Sequence, residues 1–368
     1  MSIGFRWIWT GWIWAGLLFL AAMTGFAGGP ANAGVPGIGA YVWSGYYRDD
    51  ASAAGFASSA QFVLDQGFTT LRITASPTTV AELHLGAACA SNPQIACILN
   101  QQLAGAAFSD RRLRLLILTI ADFAASGHYT DPVFIAANRA RIAAEYTAAL
   151  AFLDKRLAGM SVDVVLTNWE GDNMVYCGAA YSYATSPSFR VACPGIKSRL
   201  DGFMAWSELR RGIVESYQAG SPGLHYHYAT EFNVMHMLAT ECKGVCDPTL
   251  DVLHRLAVLP ARPALCSYSA WDSFNRGLLA ADLDPIRAVC DQVIIGELGF
   301  AATGSANAVA QQGFADAGAA IARNASWIPA TILWNAFEVP ETVNKGYGLW
   351  TVSGAARNLT LLPAALRP

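Results

Sequence analysis

Charged side chains are scarce in this 368-residue chain, where Asp, Glu, Lys and Arg together make up only 14% of the residues. The 24 basic residues do not outnumber the 27 acidic ones, and the formal net charge is −3 at pH 7. The basic residues form no stripe of the kind that neutralises nucleic-acid phosphates. We therefore expect no nucleic acid among the partners of this protein.

The chain also lacks a Pro-, Gly- or Ser-rich linker between regions of different composition, and it has no internal repeat period. Its length therefore indicates one domain. Hydrophobic residues make up 54% of the chain, with 11 Trp, 13 Tyr and 17 Phe. This composition excludes a disordered protein and provides a large core together with aromatic side chains for lining a cleft.

The longest apolar run lies near the N-terminus, where Trp7–Phe26 follows a single charged residue, Arg6. The stretch Ala31-Asn32-Ala33 then fits the small-residue rule for signal-peptide cleavage. We expect residues 1–33 to be a signal peptide and residues 34–368 to be a secreted or periplasmic monomer that does not contact the membrane. The alternative is an uncleaved anchor, because about 20 apolar residues can span a bilayer.

All eight cysteines follow this N-terminal segment, and they form four pairs of near neighbours in the sequence. An even number of cysteines in an oxidising compartment predicts disulfide bonds. The predicted pairs are Cys89/Cys97, Cys177/Cys193, Cys242/Cys246 and Cys266/Cys290. The short spacing of the third pair would also suit a metal clip. However, no second Cys or His pair follows at zinc spacing, so we expect no metal and no cofactor.

Short apolar runs rich in β-forming residues alternate with longer alanine-rich stretches eight times along the chain. This alternation is typical of repeated βα units around a parallel sheet whose strands are buried on both faces. The predicted strands are Gly37–Trp43, Thr69–Thr74, Arg114–Ile120, Val162–Asn168, Leu224–Tyr228, Leu265–Ser269, Gln292–Gly296 and Thr331–Asn335. We therefore predict the α/β class and a single (β/α)8 TIM barrel.

Helical patterns and insertions fill the segments between the predicted strands. The clearest helices are Pro132–Leu157 and Lys197–Ala219, where Ala, Leu, Ile and Arg recur at three- and four-residue spacing. Further helices are predicted at Ser52–Asp65, Pro248–Leu256, Leu283–Cys290 and Ala308–Ala325. The long segments Pro77–Phe108 and Asn173–Gly195 are predicted as βα-loop insertions, each stapled by one disulfide.

Two predicted strands run directly into a carboxylate, the fourth at Glu170 and the seventh at Glu297. In a TIM barrel the carboxyl ends of the strands converge on one mouth, where barrel enzymes place their chemistry. Cleavage of a glycosidic bond requires two carboxyl groups, one protonated and one ionised. The alternative is that each glutamate only pairs with an arginine such as Arg72.

Two motifs, Gly296-Glu297-Leu-Gly-Phe300 and Trp334-Asn-Ala-Phe-Glu338, carry a family resemblance. They resemble the strand-seven nucleophile and strand-eight tryptophan motifs of clan-A retaining glycoside hydrolases. The resemblance implies that Glu170 is the acid/base and Glu297 the nucleophile, with Arg72 and Tyr268 hydrogen-bonded to Glu297. It also implies a covalent glycosyl-enzyme and carboxyl groups about 5–5.5 Å apart.

The fourth strand departs from the pattern of that clan, in which Asn is followed directly by Glu. Here Trp169 separates Asn168 from Glu170. A bulge could absorb the extra residue and leave Asn168 on the 2-hydroxyl of the sugar. Asp172 and Glu231 remain alternative acids.

Aromatic side chains at or just past the predicted strand ends indicate an oligo- or polysaccharide partner, because the apolar C–H faces of sugars stack on indole. These side chains are Trp43, Trp169, Trp271 and Trp334. In the fifth strand we expect His227 to hydrogen-bond substrate hydroxyls, and the alternative is a metal pair with His225. A β-linked substrate follows from the family resemblance alone.

Three functions stay open at this point. A retaining glycosidase explains both glutamates and the aromatic side chains. A transglycosylase would use the same glutamates with a sugar as the acceptor in place of water. A non-catalytic carbohydrate-binding barrel would keep the aromatic side chains but would not need both glutamates.

Overall fold

The computed structural model describes residues 37–43, 52–89, 94–301, 307–338, 346–351 and 353–368. The expected signal peptide and its cleavage site lie outside these residues. Within the described ranges, no helix is both long enough and apolar enough to cross a membrane.

Eight parallel strands form a closed barrel in which each strand pairs with its neighbours in sequence and the last returns to the first. The strands are β1 Gly37–Val42, β2 Thr70–Ala75, β3 Leu115–Ile120, β4 Val162–Thr167, β5 Leu224–Phe232, β6 Leu265–Ser269, β7 Gln292–Leu298 and β8 Ala330–Leu333. The continuous apolar runs form these strands because a parallel barrel buries both faces; in β3 all six residues are buried. The predicted (β/α)8 barrel is confirmed.

Helices surround the barrel and also form short turns within the loops. They are α1 Ala53–Asp65, α2 Pro77–Glu82, α3 Gly86–Cys89, α4 Ile95–Gln102, α5 Pro132–Arg156, α6 Gly171–Val175, α7 Ala180–Thr185, α8 Pro187–Ala192, α9 Ile196–Ser216, α10 Met237–Thr240, α11 Val252–Ala257, α12 Trp271–Phe274, α13 Leu279–Val289 and α14 Asn307–Arg323. Side-chain caps fix several starts: the Asp131 carboxylate accepts two N–H groups of α5, and Asp251 caps α11. Because of the Asp251 cap, α11 starts later than the Pro248 of the prediction.

Successive side chains of each strand point alternately outward and inward, so the hydrophobic side chains form two layers. The outer layer joins the sheet to the helices and includes Phe56, Leu150 and Trp206. The inner layer fills the barrel and includes Ile117 and Ile294. Because the inner layer fills the middle of the barrel, the polar side chains at its carboxyl end form a separate group, which is the candidate site.

All four predicted disulfides are present in the structure. Cys89–Cys97 joins α3 to α4 in the first insertion, and Cys177–Cys193 spans α7 and α8 in the second. Each cross-link joins two parts of one loop insertion and so reduces the conformational freedom of that loop. Cys266–Cys290 joins the start of β6 to the residue that follows α13.

Candidate active site

Arg72 of β2 is the centre of a buried polar cluster at the carboxyl end of the barrel. Its guanidinium donates to both carboxylate oxygens of Glu231, at 2.8 Å each. It also donates to the Thr119 hydroxyl at 2.9 Å and to the Gly296 carbonyl at 2.8 Å. The Tyr41 ring faces the guanidinium, with 4.5 Å between the ring centroid and the guanidinium carbon. Five strands therefore contribute to this one cluster.

Glu231 of β5 is fully buried, and both of its carboxylate oxygens are occupied. Besides Arg72, Oε1 accepts the backbone N–H of Glu170 at 3.1 Å, and Oε2 accepts the Ser267 hydroxyl at 2.7 Å. The bidentate geometry with arginine is the strongest kind of charged hydrogen bond in proteins. Glu231 is therefore enclosed below the mouth, out of reach of a substrate, and the structure does not support it as an alternative acid.

Glu170 lies three residues after the end of β4 and is 7% exposed. The Ser269 hydroxyl donates to Oε1 at 2.7 Å, and the Asn173 side-chain amide donates to Oε2. Its backbone has a φ of +23°, which non-glycine residues rarely adopt and which costs on the order of 1–3 kcal/mol. The Glu231 carboxylate holds this conformation by accepting the Glu170 N–H.

Glu297 lies in β7, where the pairing register shifts on both sides of the strand. The indole Nε1 of Trp271 donates to its Oε2 at 2.8 Å. Its Oε1 lies 3.7 Å from Nη1 of Arg72 and has no hydrogen-bond partner among the described residues. Since Ser269, which bonds Glu170, is the register partner of Glu297, the two glutamates flank one strand end.

The two carboxyl groups have raised pKa values. Burial raises the pKa of Glu170 to about 7, and the negative charge of Glu231 adds to this rise. Burial also raises the pKa of Glu297 well above its usual range, and repulsion by Glu170 adds to this rise. Because two buried carboxylates repel each other, the pair keeps at least one proton near neutral pH.

Tyr268 does not reach Glu297, so the hydrogen bond implied by the resemblance is absent. Tyr268 faces the outer layer, where it stacks on Phe232 and shares a hydrogen bond with Ser273. Alternation along β6 turns Ser267 and Ser269 inward instead, and the indole of Trp271 supplies the hydrogen bond to Glu297.

His227 does not lie at the mouth, which corrects a second expectation. β5 runs to Phe232 rather than ending at Tyr228. His227 therefore precedes Glu231 by four residues in the strand, a distance of roughly 13 Å along the strand axis. Its Nε2 contacts the Asp163 carboxylate at 3.4 Å, near the start of β4. We therefore leave His227 out of the substrate site.

Asn168 and Asp172 are both fully buried and bind the backbone of the neighbouring segments. The Asn168 amide accepts the Glu231 N–H and donates to the Glu231 carbonyl, at 2.9 Å each. Asp172 accepts the N–H groups of Asn233, Val234 and Val252. Asn168 is thus occupied in joining β4 to β5, and Asp172 does not face the mouth as an alternative acid.

The aromatic side chains form two groups at the mouth. Trp43, Trp271, Trp334 and Tyr347 form an aromatic wall beside Glu297, with centroid distances of 4.8 Å for Trp43–Trp334, 6.3 Å for Trp271–Trp334 and 5.3 Å for Trp271–Tyr347. Trp169 adjoins Glu170 and is 42% exposed. Apolar surface therefore lies on both sides of the pair, with the Trp169 indole beside Glu170 and the aromatic wall beside Glu297.

Sequence reasoning missed Ser269 and Asn173, which hold Glu170, and Ser267, which holds Glu231. Serine and asparagine are common in loops, so their type alone gives no signal. Only the inward alternation of β6 would have identified the two serines. No group of three or more His, Cys, Asp or Glu side chains in the described ranges is arranged to hold a metal ion.

Gly296 is expected to tolerate no side chain. A Cβ there would clash with Glu231 Oε2 and Ser267 Oγ and would lie 2.8 Å from Nη1 of Arg72. Gly296→Ala should therefore lower the free energy of unfolding by about 2–3 kcal/mol, measured by urea denaturation. The control is Gly212→Ala in α9, where an added Cβ meets nothing within 4 Å and should stabilise the protein slightly. Equal effects of the two changes would contradict this prediction.

Comparison with solved structures finds the same fold in several glycoside hydrolases. The GH5_18 protein from Streptomyces cattleya, solved in complex with GlcNAc, has a TM-score of 0.50 and 14% identity over 90% of this chain and 80% of that chain. The AHE enzyme from Alicyclobacillus herbarius has a TM-score of 0.55 and 10% identity, covering 89% of this chain and 95% of that one. A family 1 β-glucosidase from Thermotoga maritima has a TM-score of 0.50 and 8% identity, covering 85% and 91%.

These identities are low, and the likeness is one of fold. No protein-family model and no curated protein matches the sequence. The resemblance to clan-A glycoside hydrolases inferred from the sequence is thus confirmed at the level of the barrel fold.

Proposed function

We propose that this protein is a retaining glycosidase that cleaves a β-linked oligo- or polysaccharide, with Glu170 as acid/base and Glu297 as nucleophile. The observation that carries the proposal is the burial of two mutually repelling carboxyl groups at the ends of β4 and β7. Such a pair does not stabilise the fold, because burying a carboxyl group without a full set of hydrogen bonds or a counterion lowers the free energy of unfolding. Glycosidic bond cleavage, which needs one protonated and one ionised carboxyl group, explains why the protein has the pair.

The charge of Arg72 supports the division of roles within the pair. Arg72 lies 3.7 Å from Glu297, and the Trp271 indole donates to it, so both favour the ionised form of Glu297. Glu170 has a pKa of about 7, raised mainly by burial, and it therefore holds its proton below neutral pH. An ionised Glu297 and a protonated Glu170 are the starting state for double displacement.

In the first step, the Glu297 carboxylate attacks the anomeric carbon while the Glu170 proton moves to the glycosidic oxygen, and the leaving sugar departs. The product is a glycosyl ester on Glu297. Loss of the negative charge on Glu297 then lowers the pKa of Glu170, which acts as a base in the second step. It removes a proton from water, the water oxygen bonds to the anomeric carbon, and the Glu297 carboxylate is released.

The aromatic side chains support a saccharide as the ligand. The wall beside Glu297 offers indole and phenol faces for the sugar that is attacked, and the exposed Trp169 beside Glu170 offers a face for the leaving sugar. The proposed substrate site keeps Trp43, Arg72, Asn168, Trp169, Trp271 and Trp334. Arg72 acts there through its charge beside Glu297, and Asn168 acts through its bonds to the Glu231 backbone. The four disulfides support secretion or a periplasmic location.

The proposal is tested by trapping the covalent intermediate. The protein is incubated with a panel of 2-deoxy-2-fluoro-β-glycosyl fluorides, digested, and analysed by mass spectrometry, and the label is expected on the peptide that contains Glu297. Glu297→Gln should abolish labelling, whereas Glu215→Gln, at an exposed glutamate of α9, should leave it intact.

Product stereochemistry is followed by NMR on any glycan that the wild type cleaves, and retention of the anomeric configuration is expected. A label on another residue, or inversion, would refute the assignment of the pair. Binding of glycans without cleavage would favour a carbohydrate-binding barrel instead. A glycosylated sugar acceptor as the main product would favour a transglycosylase.

A further inference from the structure

Three buried glutamates at the mouth share one arginine. Both Nη1 hydrogens of Arg72 are used, one by Glu231 and one by the Gly296 carbonyl. Glu297, at 3.7 Å from Nη1, feels the positive charge without a hydrogen bond. Arg72 is thus bonded to a glutamate that does not take part in the proposed reaction.

The charge of Glu231 acts on the same carboxyl groups as that of Arg72, with the opposite sign. Attraction by Arg72 favours ionisation of Glu170 and Glu297, whereas repulsion by Glu231 opposes it. All four side chains are buried, so water screens these interactions little. At Glu170 the repulsion by Glu231 is the larger of the two influences, and at Glu297 the attraction by Arg72 is the larger. Glu231 thus offsets part of the charge of Arg72 at both groups.

We propose that Glu231 is a positioning residue that sets the pH range of the reaction, by offsetting the charge of Arg72 and by holding the backbone of Glu170. Its second role follows from the hydrogen bond between Glu231 Oε1 and the Glu170 N–H, which fixes the uncommon φ of Glu170. The link to catalysis rests on the proposed function, whereas the electrostatic part does not.

Within the described part of the chain, the charged groups that act on this cluster are Arg72 on β2, Glu170 after β4, Glu231 on β5 and Glu297 on β7. Tyr41 on β1 stays neutral at working pH, because burial raises its pKa to about 12. Thr119 on β3 and Ser267 on β6 do not titrate.

Glu231→Gln removes the negative charge and keeps nearly the same shape. The amide oxygen can still accept the Glu170 N–H, and Arg72 is left without an opposing charge. The pKa values of both Glu170 and Glu297 should therefore fall, by about one unit or more. The acid limb of the kcat/KM profile reports ionisation of the nucleophile, and the alkaline limb reports loss of the proton from the acid. Both limbs should move to lower pH.

Two further variants separate charge from shape. Glu231→Asp keeps the charge and should leave both limbs where the wild type has them, even if kcat falls. Arg72→Met/Glu231→Met removes both charges, and its limbs should also stay within about half a pH unit of the wild type. A purely structural role would lower activity in all three variants without moving the limbs of Glu231→Gln, and that outcome would overturn the inference. If Glu231→Gln does not fold, Arg72→Met replaces it in the test: its limbs should lie at higher pH than those of the double variant, and equal limbs would overturn the inference.

A measurement that does not depend on turnover separates this inference from the proposed function. The carboxyl carbons of protein labelled with [δ-13C]Glu are titrated by NMR in the wild type and in Glu231→Gln, with assignments from Glu170→Gln and Glu297→Gln. A fall of both pKa values in a protein that cleaves no glycoside would support the electrostatic role and refute the glycosidase. Unchanged titrations in a protein that does cleave glycosides would overturn the role of Glu231.

Discussion

Glu297→Ala is expected to lower kcat by about 10⁴-fold or more, with Glu170→Ala similarly impaired on substrates that need a protonated leaving group. Each change removes one of the two carboxyl groups that the double displacement needs, and the remaining carboxyl group cannot perform both roles. Azide should rescue both variants. In Glu297→Ala it occupies the space of the lost carboxylate and attacks the sugar directly; in Glu170→Ala it attacks the glycosyl-enzyme without needing a base. The two glycosyl azides should therefore have opposite anomeric configurations.

Glu338→Ala is the matched control, because Glu338 is also a buried glutamate at the carboxyl end of the barrel. Its carboxylate accepts the N–H groups of Gly346 and Gly348 and pairs with Arg357 at 3.0 Å. Its loss should lower stability, and azide should not restore activity. Near-normal turnover by either Glu170→Ala or Glu297→Ala would mean that the assigned pair is wrong.

Arg72→Met is expected to lower the free energy of unfolding by about 3–5 kcal/mol, because it leaves the Glu231 carboxylate buried without its cation. The double change Arg72→Met/Glu231→Met should recover most of this loss, since two apolar side chains of similar volume replace the pair. Urea denaturation of the wild type, both single variants and the double variant gives the coupling energy by a double-mutant cycle.

The exposed pair Arg211–Glu215 on α9 provides the comparison. Its partners are 27% and 49% exposed, so Arg211→Met should cost less than about 1 kcal/mol. If Arg72→Met cost no more than this, the Arg72–Glu231 pair would contribute little to stability. If the double variant were as unstable as Arg72→Met, the loss would come from packing rather than from an unpaired charge.

The barrel could be predicted from the sequence because its strands are continuous apolar runs separated by long helical segments. The largest error is in the fifth strand, where the apolar pattern breaks at Thr230 and Glu231. The predicted strand ends at Tyr228, whereas β5 continues to Phe232. A charged residue inside a strand contradicts the burial rule unless it has a partner, and Arg72, 159 positions earlier, could not be assigned as that partner from sequence.

The positions of the two glutamates near strand ends could be predicted because the apolar runs of β4 and β7 lead up to them, but their hydrogen-bond partners could not. Successive side chains of a strand point to opposite faces of the sheet. When both faces are apolar, the sequence does not show which residues point into the barrel. The family resemblance placed Tyr268 at Glu297, whereas in the structure its neighbours Ser267 and Ser269 face inward. The indole of Trp271 lies in a short helix after β6, and loop geometry of this kind has no sequence periodicity.

The bonds of Arg72 also bear on how the protein folds. They join residues that are 47, 159 and 224 positions apart in the chain. Bringing such distant segments together costs loop-closure entropy before any contact compensates for it, which slows folding. In an incomplete sheet Arg72 and Glu231 stay hydrated and gain nothing from each other. A growing chain therefore lacks the complete Arg72 cluster until β7, which carries Gly296, has joined the sheet.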